Sequence, residues 1–306
     1  MPTPRPRSRT FEVRSLGCSS APWPETADRR SGRVATARST GAGDGAPEAV
    51  RIIRYRATVE YDGTDFAGFQ IQPGTRTVQG ALETALAHLS GGVRHPVDGA
   101  GRTDAGVHAT GQVIAFSYPG RLSATELTEA LNGLLPPDVA IRDLRQAPRG
   151  FNPRHAARYR EYRYAVWNGP RSPLRERTAF RVRNHLDVDA MARAATAFEG
   201  RHDFSAFGGA DPQPVRNVEY VRVRRDGHLI TIDVRADAFL RGMVRRMVAA
   251  LLAVGAGKMS ETAVAAALAE RRPALDGAAA PSRGLCLRRV VLGRRQERSY
   301  GEDEER

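Results

Sequence analysis

Twice along this chain, apolar residues alternate in short runs, recur at helical spacing, then alternate again. That order constrains the fold more than any bulk property. Tyr55 to Tyr61 alternates and predicts a strand. Val78, Leu82, Ala85, Leu86 and Leu89 fall at helical spacing within Thr77 to Leu89, with Thr77 placed to cap the first turn. Val107 to Tyr118 returns to strand. Ser123, with Glu126 three residues on, has capping-box spacing and opens a helix that Pro136–Pro137 ends. Val139 to Leu144 is a further strand. The second half resembles the first. Arg158 to Trp167 is a strand with Tyr162, Tyr164 and Val166 on one face, and Val188 to Phe198 is helical. Val215 to Arg225 and Leu229 to Ala236 form a hairpin about Asp226–Gly227. Helices follow over Phe239 to Val254 and Glu261 to Glu270, and Leu285 to Leu292 closes the pattern as a strand.

Strands and helices mix without strict βαβ regularity, which predicts an α+β fold. Two related α/β halves are expected to share a sheet, with a ligand cleft between them. Residues 51–153 make the N-terminal half and 154–295 the C-terminal half. Residues 1–50, rich in Pro, Arg, Ser, Gly and Thr with no sustained period, read as a disordered basic extension. Residues 296–306 read as a disordered tail with an acidic end.

The formal net charge is +13, and only +3 of it lies in the first 50 residues. The folded body is therefore basic, and its basic residues are arginines: Lys258 is the sole lysine. Arginine grips phosphates with a flat fork and stacks on bases, so RNA or DNA is the expected partner. A GC-rich coding sequence explains arginine over lysine but not the surplus over acids. Cys18 and Cys286 give neither a disulfide framework nor metal-ligand spacing, which fits a reducing cytoplasm. No signal-peptide core follows the N-terminus, and the longest apolar run, Met247 to Ala256, is half a membrane span. No membrane partner is expected.

Residues 99–109 read Gly-Ala-Gly-Arg-Thr-Asp-Ala-Gly-Val-His-Ala. Small neighbours let a bulky ligand approach the backbone. The single acid, Asp104, has no second acid or base in the motif, so its chemistry is that of a nucleophile or a solitary base. A turn in which Asp104 bonds its own backbone is the other reading. The glycine spacing is neither a dinucleotide fingerprint nor a phosphate loop. On the predicted helix from Phe239, Arg241 and Arg245 are four apart and share a stripe. An inward arginine needs an anion, and Asp104 is a natural one; two solvated arginines are the alternative. Tyr162 lies mid-strand, where core packing competes with a place in the site. His108 reads as a packing residue or turn donor, and His202–Asp203 as a turn around Phe204 and Phe207.

With these residues assembled, the chain resembles the TruA-type tRNA pseudouridine synthases. The resemblance runs from about Arg54 to Leu292. It is carried by Tyr61-Asp62-Gly63-Thr64, Gly68-Phe69-Gln70, Thr77-Val78-Gln79, Gly101 to His108, Phe151 to Tyr164, His202-Asp203-Phe204 and Phe239 to Arg245. It implies two ferredoxin/RRM-like halves joined through an extended, mainly antiparallel sheet with a central basic cleft. It implies isomerisation of uridine to pseudouridine in the anticodon stem-loop of tRNA, at positions 38 to 40, by a homodimer with no cofactor and no metal. Asp104 matches the family's catalytic aspartate, Arg245 the arginine paired with it, and Tyr162 a tyrosine beside the uracil ring, for stacking and removal of the C5 proton. Arg102 matches an arginine that holds the flipped-out nucleotide's place, and Arg154, Arg160 and Arg241 are expected RNA contacts. Phe69 stands where many relatives have Trp and Gly242 where a His is frequent. A non-catalytic RNA-binding protein of the same fold is the rival reading; an aspartate-nucleophile hydrolase would lack its second acid or metal.

Overall fold

The computed structural model describes residues 51–273, 275 and 279–293. The expected disorder of residues 1–50 and 296–306 lies outside the described residues. The strands are β1 (Ile52–Tyr61), β2 (Asp98–Gly99), β3 (His108–Pro119), β4 (Val139–Gln146), β5 (Ala157–Trp167), β6 (Phe180–Arg181), β7 (Gly200–Asp203), β8 (Val215–Asp226), β9 (Leu229–Ala236) and β10 (Leu285–Leu292). The helices are α1 (Val78–Leu89), α2 (Ala124–Leu134), α3 (Pro153–Ala156), α4 (Val188–Ala195), α5 (Met243–Gly255) and α6 (Glu261–Glu270).

Local chemistry sets these boundaries. Thr77 accepts the N–H of Gly80 and caps α1. Ser123 and Glu126 exchange side-chain and backbone bonds at the start of α2, the reciprocal pairing their spacing predicts. Along β1 burial alternates through Tyr55, Ala57, Val59 and Tyr61, so one face meets the core. On β5, Tyr162, Tyr164 and Val166 are buried together, as their spacing predicts. None of the described helices is long and apolar enough to cross a membrane.

All ten strands form one sheet, ordered β4-β1-β3-β10-β5-β9-β8-β7, with β2 on β3 and β6 on β5. The pairings are antiparallel apart from β5 with β6 and β10 with β3. The chain's closing strand thus sits mid-sheet. β10 pairs along β5, and it meets β3 only at Cys286–His108 and Leu287–Ala109. That short parallel seam joins β1, β3 and β4 to the strands of the second half. On the first side α2 packs on β4 and α1; on the second α4 packs on α5, α6 and β8.

Two expectations require correction. The helix predicted from Phe239 begins only at Met243, because Gly242 adopts a left-handed conformation (φ 71°) and breaks it. Arg241 therefore lies in the preceding turn and shares no helical stripe with Arg245. Gly200 to Asp203 is an edge strand on β8 rather than a turn. The turn comes one residue later, where Asp203 accepts the Ser205 N–H and Phe204 and Phe207 pack with Phe198.

Candidate active site

Asp104 lies in the loop between β2 and β3, and that loop is gripped at almost every residue. Arg160 donates to the Ala100 carbonyl from Nε and Nη2, at 3.1 and 2.6 Å. Gln112 donates to the Gly101 carbonyl. The Thr103 carbonyl accepts the Phe69 N–H, and its hydroxyl bonds Tyr61 Oη at 2.8 Å. The Asp104 carbonyl accepts the Val107 N–H, and Gly106 N–H reaches Phe66 O. With the backbone held, the carboxylate projects outward, 37% exposed. Gly63 has no room for a side chain here, since a Cβ would sit 1.9 Å from the Val107 carbonyl oxygen.

Arg245, in the first turn of α5, reaches this carboxylate from the second half. Its Nη1 is 3.7 Å from Asp104 Oδ2, and its Nε donates to the Ala280 carbonyl at 2.6 Å. Tyr162, on β5 opposite Leu287 of β10, is buried and packs edge-on against Phe239 at 5.1 Å. Burial pushes its phenol up to about 12; the Arg160 charge opposes that shift and the Asp104 charge adds to it. The structure thus brings Asp104, Tyr162 and Arg245 to the β3–β10 seam.

The four arginines expected on RNA divide. Arg102, Arg154 and Arg241 are exposed. Arg160 is 8% exposed, and its guanidinium also serves the carbonyls of Asp237 and Arg154. Its position on β5 points it inward, and it braces the Asp104 loop from behind.

Several residues at the site were not singled out for it by sequence. His108 takes the Gly63 N–H on Nδ1, and its Nε2 donates to the Arg177 carbonyl at 2.8 Å, with Arg283 O at 3.1 Å. Arg177 pairs with Asp62 and Asp65. Burial opposes ionisation of Asp62, but the Thr64 hydroxyl and N–H and the Arg177 guanidinium outweigh it and hold its carboxyl below the usual range. The segment 280–283 fastens everything: it receives Arg245 on Ala280, the Tyr164 hydroxyl on Pro281 and His108 on Arg283. Repeated apolar spacing carries no signal for contacts this distant in sequence. Among the described residues no three His, Cys, Asp or Glu side chains are grouped to hold a metal ion.

A family model for tRNA pseudouridine synthase matches residues 57–154 and 194–291. The chain is 42% identical over 235 residues to tRNA pseudouridine synthase A of Geotalea uraniireducens, covering 75% of this chain and 95% of that one. It is 43% identical over 242 residues to the protein of the same name from Myxococcus xanthus, covering 78% and 91%. Among solved structures, an archaeal box H/ACA sRNP Nop10-Cbf5 complex is 12% identical, covering 77% of this chain and 48% of that one, at a TM-score of only 0.30.

Proposed function

The chain belongs to the tRNA pseudouridine synthase family, and on that premise we propose that it isomerises uridine at positions 38 to 40, in the anticodon stem-loop of tRNA. The observation that carries the reading is the single carboxylate of Asp104, held in a fixed loop and faced by Arg245 at 3.7 Å. Family membership makes the enzyme a tRNA uridine isomerase. The stem-loop position, a homodimeric state, a cytoplasmic location and the residue roles belong to the proposal.

The reaction breaks the C1′–N1 bond, turns the uracil and joins C1′ to C5. The C5 proton leaves and N1 gains one, so atoms and electrons balance. A stacked base cannot turn, so the nucleotide must first leave the helix, at a cost of a few kcal/mol. Phosphate contacts offset that cost; we assign them to Arg102, Arg154 and Arg241, and the exposure of all three supports the assignment. Arg102, two residues from Asp104, holds the everted nucleotide's place. Asp104 then attacks C1′ or C6, or takes a proton from the sugar; the three share the need for a fixed carboxylate. Arg245 aims that carboxylate. Tyr162 acts as a neutral phenol against the ring, since with a pKa of about 12 its phenolate is about one part in 10⁵ at neutral pH. Arg160, behind the loop, is a positioning residue.

The test is to incubate the protein with unmodified tRNA and map pseudouridine by nucleotide. Pseudouridine confined to positions 38 to 40, and absent with Asp104→Ala, is the expected result. Modification elsewhere in the tRNA overturns the positional reading.

A further inference from the structure

Between β5 and β6 the chain leaves the sheet in a short arm, residues 169–177. At its tip Leu174 is 92% exposed, the most exposed large hydrophobic side chain among the described residues; Ile52 follows at 60%. A lone exposed leucine is ordinary on a protein surface. What distinguishes this one is how firmly its support is built and what the support is tied to.

The outer end of the arm is folded into a 3₁₀ turn over Pro173–Arg175. Trp167 Nε1 donates to the Pro170 carbonyl at 2.6 Å, and the Arg175 guanidinium lies 5.5 Å from the Trp167 ring. The inner end is bound beside the Asp104 loop, to the segment after β1 and to the first residue of β3. Arg177 donates to Asp62 at 2.9 Å and to Asp65 at 2.7 Å, and its carbonyl accepts His108 Nε2. His108 lies four residues beyond Asp104 and also holds Gly63, whose backbone packs on Val107. Leu174 is three residues from Arg177, so at most about 11 Å of chain separates the leucine from this clasp. Arg177 is in turn joined through His108 to the strand that leaves the Asp104 loop.

We propose that this arm is an RNA contact and that Leu174 lies against the face of a nucleobase of the bound tRNA, with Arg171 beside it on the phosphate backbone. The proposal rests on tRNA being the substrate. Charge favours RNA over a protein partner: Arg171 and Arg175 flank the leucine, and both are exposed. Leucine is among the apolar side chains that wedge against unstacked bases, while neighbouring arginines meet phosphates. A stable protein interface needs about 800 Å² per partner with an apolar centre. Beside the leucine in the chain only Pro173 is apolar and exposed, between Arg171, Ser172, Arg175 and Glu176, which is too little for such a centre.

The experiment measures tRNA affinity, salt dependence and turnover for the full chain and for Leu174→Ser, Leu174→Met and Arg171→Ser, with sedimentation of each protein alone. Leu174→Ser is expected to weaken tRNA binding about tenfold, the scale of one buried leucine. Leu174→Met restores most of it, and turnover at saturating tRNA stays within about twofold of the parent. Arg171→Ser lowers the salt slope by about one phosphate contact. Leu174→Ser with unchanged affinity overturns the proposal. So does a changed association state without RNA, which would make Leu174 part of a contact between protein chains. Binding without pseudouridine formation by the parent protein overturns the catalytic reading and leaves the arm standing.

Discussion

Arg245 and Asp104 face each other across the joint between the two halves of the sheet, 3.7 Å apart from Nη1 to Oδ2. The separation is long for a hydrogen bond, so the carboxylate is aimed without being closed off. The guanidinium is fixed at its other end, where Nε donates to the Ala280 carbonyl. Lysine is a point charge on a flexible stem and cannot serve both partners. Arg245→Lys should therefore lower the single-turnover rate about 10²-fold or more, the scale of losing one preorganised electrostatic partner. Thermal unfolding should reveal a loss of only about 1 kcal/mol, because both side chains are partly exposed. An unchanged rate would separate Arg245 from the chemistry.

Tyr162 carries a pH prediction. Burial disfavours its phenolate, so the neutral phenol persists as pH rises and charges only near 12. No basic limb due to Tyr162 should appear in the rate profile between pH 7 and about 10. Tyr162→Phe should keep that profile shape, whatever its effect on rate. A limb near pH 9 that vanishes in Tyr162→Phe would show the phenolate acting as a base.

Arg160 and Arg102 should fail in opposite ways. Arg160→Leu leaves the Ala100 and Asp237 carbonyls without their guanidinium donor. Chemical denaturation should show about 2–4 kcal/mol lost. Arg102 is exposed, and Arg102→Ala should leave the unfolding midpoint within about 0.5 kcal/mol while weakening tRNA binding. Equal stability losses in the two variants would contradict the inward placement of Arg160.

Gly63→Ala tests the tight backbone crossing behind Asp104. A Cβ would meet the Val107 carbonyl at 1.9 Å, and backbone on both sides must move to relieve it. The expected result is about 2 kcal/mol or more of lost stability together with a marked loss of rate. Full activity in Gly63→Ala would mean that the Asp104 loop tolerates displacement.

Much of the fold was legible because the strands and most helices bury one face, and that leaves a period. Thr77 and Ser123 announced their helices because capping is a local bargain between neighbours. The start of α5 was misread because the apolar spacing of Phe239 and Met243 continues through Gly242 while the backbone does not. Asp104 and Arg245 were legible as a pair through charge and the family resemblance. Arg160 turns its guanidinium to the carbonyls of Ala100, Arg154 and Asp237, which strand position alone does not reveal, because it gives a side chain's face but not what lies beyond it. The reach of His108 to Arg177 and Arg283 is invisible in the sequence, because those bonds end on backbone carbonyls, which every residue offers.

The most direct measurement is tritium release from tRNA labelled at uracil C5, comparing the parent protein with Asp104→Asn under single-turnover conditions. Asparagine keeps the size and the turn and removes only the charged oxygen. The parent should release tritium from the labelled stem-loop, and Asp104→Asn should release none above background while binding the same tRNA. Equal release by both would contradict the central place given to that carboxylate.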